Sequence, residues 1–240
     1  MADDAVVIPV PGTAELHLLT RSGHVEVHAE ERDDVVIELG APSEHRIESD
    51  ATGRIKLPSA RGGTATLVLR TPTGSDVVVG TISGNVKLQG QLGAVRVTTV
   101  SGSIEVDRAE ALDARSVAGN IDVDRCSGQC RLQTKSGRAV CNSAASAQVS
   151  TISGLIKLGE TAGSVSAQSA SGKIEVDMRS AGDVKVRTMS GPVRVAVPRG
   201  VRPSTSLRSL SGRPRSECEE GNDCEIRVQS LSGRIEVVPS

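Results

Sequence analysis

The 240-residue sequence contains no phenylalanine, tyrosine or tryptophan. Their absence removes the stacking platforms on which proteins that bind single-stranded nucleic acid depend. It also removes the Tyr and Trp anchors that dominate most protein interfaces. A hydrophobic core must therefore consist of valine, isoleucine, leucine and alanine, which suits a thin interior with little space per layer.

The chain also lacks an excess of charge of either sign and any long apolar run. It carries 28 basic and 29 acidic residues, so bulk electrostatics gives no reason to expect nucleic acid or an anionic membrane as a partner. No apolar run approaches the roughly 18 residues of a membrane-spanning helix. The first residues, Met1–Asp4, are acidic where a secretory signal would be basic and then apolar. We expect a cytoplasmic protein; the alternative is a secreted mature form whose signal has been removed.

Cysteine is scarce and odd in number, with five residues at positions 126, 130, 141, 218 and 224. A chain of this length does not need a disulfide scaffold, so reduced thiols are expected. Cys130 and Cys141 fall at inward positions of the repeat described below and are interpreted as small core residues. Cys218 and Cys224 flank an acidic loop, and we expect a pair of free thiols there, with a reversible disulfide as the alternative.

A short internal repeat dominates the remainder of the sequence. Its marker is a small residue followed by glycine, with alternating apolar residues on both sides, and it recurs at intervals of 17 to 21 residues. The glycines of this marker are Gly84, Gly102, Gly119, Gly137, Gly154, Gly172, Gly191, Gly212 and Gly233. Regular recurrence at this spacing is typical of repeat architectures.

Each repeat contains two strand patterns. Val95-Arg96-Val97 precedes one marker glycine and Ile104-Glu105-Val106 follows it, so one face of each strand is buried and the other is solvated. About 18 residues with two strands leave no room for a crossover helix, and equivalent strands of successive repeats then stack about 4.8 Å apart. The sequence predicts an all-β, right-handed, parallel β-solenoid with glycine at the corners.

We expect one solenoid domain over residues 1–240. Residues 1–79 have longer strands and wider spacing, which predicts an irregular, β-rich N-terminal cap, residues 80–197 form regular coils, and residues 198–240 form stretched final coils. The chain ends on a regular strand, Ile235–Val238, without an obvious cap. This strand predicts a homodimer formed through the C-terminal end.

The outward position three residues after each corner glycine predicts a charged ladder along one face. In chain order it reads Lys87, Glu105, Asp122, Val140, Lys157, Glu175, Arg194, Arg215 and Glu236. Stacking in this order gives several attractive pairs, but it places Arg194 next to Arg215. We interpret the ladder as a solvated face, since exposed pairs contribute about 0–1 kcal/mol each.

The residue before each Ser-Gly corner is mostly apolar. The series is Ile82, Val100, Val117, Lys135, Ile152, Ala170, Met189, Leu210 and Leu231. A bend at the corner would turn this residue inward, and that is the interpretation we favour. Strict alternation from Val95 would instead leave an exposed apolar stripe, which would be a docking site.

His24, Glu26 and His28 alternate on one strand and are weak candidates for a Zn²⁺-type site. The alternative is an exposed polar strand face, which we favour, so no metal and no cofactor is expected. No phosphate-binding loop and no nucleophile elbow occurs, and nothing points to a catalytic residue.

Two segments give the chain a family resemblance. Ser22-Gly23-His24-Val25-Glu26-Val27 and the Thr-x-Ser-Gly-x-Val/Ile-x-Val/Leu units resemble the bacterial toastrack, or "putative adhesin", domain family. The resemblance implies a single-stranded β-solenoid, often found beside envelope or membrane-stress components, without catalytic residues.

We therefore expect a non-catalytic binding or scaffold module with an unidentified protein partner. The alternatives are a self-assembling structural element and a carbohydrate-active β-helix enzyme. The enzyme is disfavoured because such enzymes normally carry aromatic platforms.

Overall fold

A computed structural model describes residues 5–39, 47–50, 53–57 and 66–240. Within these residues every regular element is a strand, and the chain divides into two compact units, Met1–Asn120 and Ile121–Ser240. Both units consist of parallel coils, which confirms the predicted all-β parallel solenoid. The single-domain organisation stays a prediction, and each unit is described by itself.

Unit 1 contains ten strands among its described residues. They are β1 Ala5–Pro9, β2 Glu15–Leu19, β3 Val25–Glu30, β4 Asp34–Leu39, β5 Glu48–Ser49, β6 Arg54–Leu57, β7 Leu67–Pro72, β8 Asp76–Gly80, β9 Val86–Thr98 and β10 Ile104–Ala118.

Unit 2 contains eleven strands. They are β11 Ile121–Ser136, β12 Ala139–Ser153, β13 Ile156–Thr161, β14 Val165–Ser171, β15 Ile174–Met178, β16 Val184–Ser190, β17 Val193–Val197, β18 Pro203–Ser209, β19 Pro214–Ser216, β20 Cys224–Ser232 and β21 Ile235–Pro239.

The alternation of apolar and polar residues sets which face of each strand is buried. Ile104 and Val106 are buried while Glu105 between them is exposed, as the period of two predicts. Ile174 and Val176 are likewise buried, and Glu175 is half-buried with its carboxylate 2.5 Å from the Lys173 ammonium. The core of each unit is a column of small aliphatic side chains, as expected for a chain without aromatic residues.

The N-terminal part of unit 1 does not stack in chain order. The coil of β2 and β3 lies between the coil of β6 and β7 on one side and the coil of β8 and β9 on the other, all in parallel. Strand β4 then pairs antiparallel with β7, β1 pairs antiparallel with β4, and β5 pairs antiparallel with β6. These antiparallel strands form the irregular β-rich cap that the sequence predicts.

Unit 2 shows the same departure from chain order at its C-terminal coils. Strand β20 pairs with β16 on one side and β18 on the other, and β21 pairs with β17 and β19. The last coil in sequence is therefore inserted between the two coils that precede it. The outermost of these coils consists of β18 and β19.

This insertion corrects the predicted open edge. Strand β21, Ile235–Pro239, has a parallel partner on both sides, so its backbone cannot pair with a second copy. The edge is formed instead by β18 and β19, which pair only with β20 and β21 among the described residues. The predicted dimer contact through Ile235–Val238 is therefore wrong.

The insertion also changes the charged ladder of unit 2. The register places Glu236 between Arg194 and Arg215, so the arginines are not neighbours. The ladder then alternates in sign through Lys157, Glu175, Arg194, Glu236 and Arg215. The repulsion expected between Arg194 and Arg215 from chain order is absent because an acidic residue separates them.

Candidate docking surface at the Ser-Gly corners

The corner glycines stack directly on one another within each unit. A Cβ atom on Gly172 would lie 1.9 Å from the carbonyl oxygen of Gly154, and one on Gly191 would lie 2.1 Å from that of Gly172. Gly172 also has a φ of 147°, in the region that side chains disfavour. The corner therefore requires glycine for two reasons, of which the close approach of successive backbones is the more stringent.

A column of buried hydroxyl groups lies just inside the corner. At four corners the buried hydroxyl of the threonine or serine two residues before the corner serine donates to the carbonyl oxygen of that serine. The donor–acceptor distances are 3.2 Å for Thr134 to Ser136, 3.3 Å for Thr151 to Ser153, 3.1 Å for Thr188 to Ser190 and 3.0 Å for Ser230 to Ser232. Thr99, Ser116, Ser169 and Ser209 have buried hydroxyls with no partner among the described residues.

The strands continue through the small residue before the glycine both with this hydrogen bond, as in β16, and without it, as in β14, so the chain turns at the glycine and not before it. The residue between threonine and serine consequently stays on the outer face. The interpretation that the bend turns this residue inward is wrong. The hydroxyl column is the part of the site that we did not identify from sequence, although the recurrent Thr of the motif is its signal.

The apolar residues before the corners form an exposed stripe in each unit. The unit 1 stripe comprises Ile82, Val100 and Val117, which are 53%, 47% and 38% exposed. The backbone brings them into adjacent coils, since Ser101 N–H donates to the Ile82 carbonyl at 2.8 Å and Ala118 N–H donates to the Val100 carbonyl at 2.8 Å.

The unit 2 stripe comprises Ile152, Met189, Leu231 and Leu210, with exposed fractions of 55%, 57%, 48% and 83%. Met189 and Leu231 lie side by side because Thr188 pairs with Ser230 and Ser190 with Ser232. Leu210 follows Leu231 because Ser211 N–H donates to the Leu231 carbonyl at 3.1 Å. Three exposed apolar side chains are thus consecutive, at the spacing of about 4.8 Å between paired strands.

The weak metal candidates do not converge on a common point. His24, Glu26 and His28 share the outer face of β3, with 3.7 Å between His28 Nε2 and Glu26 Oε2. Lys87 flanks Glu26 and Arg70 flanks His28, and these cationic neighbours disfavour a bound cation. The described part of the chain contains no group of three or more His, Cys, Asp or Glu residues placed to hold a metal ion.

The five cysteines are all free thiols. Cys126, Cys130 and Cys141 are buried in the core of unit 2, and hydrogen bonding to Cys126 and then to Cys141 raises the pKa of Cys130 well above its usual value. Cys218 and Cys224 are half-buried, and burial raises the pKa of both thiols. A disulfide between Cys218 and Cys224 stays a prediction.

Over the residues that the structure covers, no helix of sufficient length and apolar character to cross a membrane is found.

Comparison with known proteins identifies one family. The model of the Toastrack DUF4097 family matches residues 3–237. The comparison with curated proteins gives no match.

Three similar solved structures carry the name "putative adhesin". The protein from Parabacteroides merdae is 9% identical, with a TM-score of 0.48 and coverage of 99% of this chain and 95% of the other. The protein from Parabacteroides distasonis is 12% identical, with a TM-score of 0.45 and coverage of 98% and 96%. The protein from Bacteroides fragilis is 10% identical, with a TM-score of 0.44 and coverage of 98% and 95%.

Proposed function

Because this chain belongs to the Toastrack DUF4097 family and exposes an apolar stripe in each of its units, we propose that it is a non-catalytic binding module that docks a partner protein through its Ser-Gly corners. The observation that carries the proposal is the exposure of Met189, Leu231 and Leu210 in three consecutive coils. Contiguous apolar surface on a folded protein marks an interaction site more often than scattered apolar residues do.

The corner suits docking because its backbone carbonyl groups already accept hydrogen bonds within the protein. The carbonyls of Ile82, Val100 and Leu231 accept N–H groups from neighbouring coils, so the backbone of the stripe is fixed before a partner arrives. A rigid surface reduces the conformational entropy lost on binding. The stripe has no aromatic anchor, so affinity must come from several aliphatic contacts along a partner of matching shape.

The test compares the wild-type protein with Met189→Ser/Leu231→Ser as bait in extracts of the native host. The control is Val6→Ser/Val7→Ser, which removes two exposed valines from β1 in unit 1. We expect a protein that is retained by the wild type and by the control and is lost with the stripe variant. Isothermal titration of that purified protein should then show affinity that is lower by at least about tenfold for the stripe variant.

Two results would contradict this function. Retention of the same proteins by the wild type and the stripe variant would show that the stripe does not bind a partner. Concentration-dependent growth of the wild-type particle in light scattering, abolished by Met189→Ser/Leu231→Ser, would favour a self-assembling structural element instead.

A further inference from the structure

The coil formed by β18 and β19 has an unpaired edge that is separate from the stripes. Its backbone pairs with β20 and β21 on one side, and no strand pairs with its other side among the described residues. Unpaired N–H and C=O groups on an edge are a template for an additional strand. The loop 217–223 occupies the start of this edge, where Gly221 N–H donates to the Pro203 carbonyl at 3.3 Å, and residues 204–216 lie beyond it.

The interior of this coil is also open. Ile226 and Val228 in the inserted coil are fully buried. Thr205 and Leu207, which pair with them in register, are only half-buried. An additional strand with apolar residues at its inward positions would cover Leu207 as β18 covers Val228.

The outer face of the same coil is strongly basic. Residues 198–216 contain five arginines and no acidic residue. Arg208, Arg213 and Arg215 are exposed, and none forms an ion pair with any residue that the structure describes. The acidic loop contacts this coil at Arg202, whose backbone N–H donates to the Asp223 carboxylate at 2.8 Å. Arg208 has the neutral Gln229 as its neighbour on the paired side, and Arg215 has Glu236, so on the unpaired side both arginines are open to acidic groups of a ligand.

These features favour a partner peptide over the other classes of ligand. A second copy would bring its own Arg208, Arg213 and Arg215 against the same residues, and like charges at close range oppose that contact. Nucleic acid would satisfy the arginines but not the backbone edge or Leu207, and the chain has no aromatic residue on which bases could stack.

We propose that the edge of β18 and β19 binds an extended segment of a partner protein in which acidic and apolar residues alternate. The segment adds as a further strand, with its acidic side chains beside Arg208 and Arg215 and its apolar side chains over Thr205 and Leu207. Main-chain hydrogen bonds provide the affinity and the alternating side chains provide the specificity.

The probe is a fluorescein-labelled ten-residue peptide of alternating glutamate and valine, titrated with the full chain in fluorescence polarisation. We expect saturable binding of this peptide and none of a lysine–valine peptide of the same length. Two further peptides carry N-methyl groups on all glutamates or on all valines. Since alternate residues of a strand point their N–H groups to opposite sides, one of these peptides should lose binding and the other should retain it.

The protein variant is Arg208→Glu/Arg215→Glu, and its matched control is Lys185→Glu/Arg187→Glu on β16, a strand that is paired on both sides. Both variants change the net charge equally. We expect the edge variant to weaken binding by at least about tenfold and the control to remain within about twofold of the wild type.

Three outcomes would overturn this proposal. Equal weakening by the two variants, or full retention of binding by both N-methylated peptides, would indicate a nonspecific charge effect. Tighter binding of a 20-nucleotide oligo-dT that displaces the peptide would assign the arginines to nucleic acid. A wild-type dimer in sedimentation that dissociates in the edge variant would assign the edge to a second copy. The stripe residues Met189 and Leu231 are unchanged in the edge variant, so these results are independent of the proposed stripe function.

Discussion

At the residue scale, the Ser-Gly corner is explained by contacts between coils more than by the conformation of the glycine alone. Gly172 has a positive φ, but so does Gly200, which lies in a turn where a Cβ atom would have no other atom within 4 Å. Of these two glycines, only the corner glycine would place a Cβ in contact with the backbone of the coil before it. The recurrence of glycine in the sequence therefore indicates that successive corners stack closely on one another.

Replacing each glycine with alanine separates the two effects. Gly200→Ala should cost about 1–2 kcal/mol, the strain of a positive φ for a residue with a side chain. Gly172→Ala should cost more than about 3 kcal/mol because the Gly154 carbonyl must also move. Urea denaturation of both variants measures the difference in the free energy of unfolding. Equal losses would mean that the corners do not stack as closely as the structure shows.

At the element scale, strand insertion determines which side chains are neighbours. Strand β21 enters between β17 and β19 and places Glu236 between Arg194 and Arg215. The same insertion places Leu231 between Met189 and Leu210 on the corner. The alternating ladder therefore depends on the order of strands in space, whereas Met189, Leu210 and Leu231 would be contiguous in either order.

The ladder predicts the effect of reversing one charge. Glu236→Lys places three cations in adjacent coils, and we expect it to lower the free energy of unfolding by about 1 kcal/mol. Glu219→Lys, the same charge change in the exposed loop 217–223, should have an effect below about 0.5 kcal/mol.

Thermal unfolding at low salt and at about 1 M NaCl measures this effect and its screening, because high salt should remove most of the repulsion. A Glu236→Lys variant as stable as Glu219→Lys at low salt would contradict the register of β21.

At the scale of whole units, one coil of each unit lies between two coils that are not both its neighbours in the chain. The coil of β2 and β3 has parallel partners on both sides in unit 1, and the coil of β20 and β21 has them in unit 2. A coil cannot bury its own apolar face, so a coil enclosed by two neighbours is more stable than one at an edge. In unit 2 this arrangement encloses β20 and β21, the last two described strands, on both sides.

Truncation tests the inserted order in unit 2. A chain that ends at Asp223 lacks β20 and β21, so β18 and β19 lose the coil with which they pair. We expect hydrogen exchange to show that the amides of Ser206 and Arg208, which point toward β20, lose their protection completely. A chain that ends at Val197 is the control, and the amides of β16 should be equally protected in the two truncated proteins.

If coils stacked in chain order, removal of β20 and β21 would leave β18 paired with β16. Full protection of Ser206 and Arg208 in the chain that ends at Asp223 would therefore contradict the inserted order.

The sequence alone determined the repeat, the strands and their buried faces. Two local patterns predict these features: the alternation around Ile104 and Val106, and the recurrence of Ser-Gly. Each pattern produces the predicted structure when one further coil stacks against it. The parallel coils and the antiparallel cap agree with these patterns. The family resemblance read from the same motifs agrees with the match of the family model.

Only the tertiary structure decided which coil neighbours which, and which way Val100 and Met189 face. Strands β18 and β20 carry the same kind of pattern, so either can pair with β16, and the pattern does not encode the choice. Met189 faces outward because β16 stays extended and paired with β20 through Ser190, and the bend follows at Gly191. Stack order and bend position arise from contacts between segments that are distant in sequence or from hydrogen-bond geometry. The alternation of apolar and polar residues specifies neither of them.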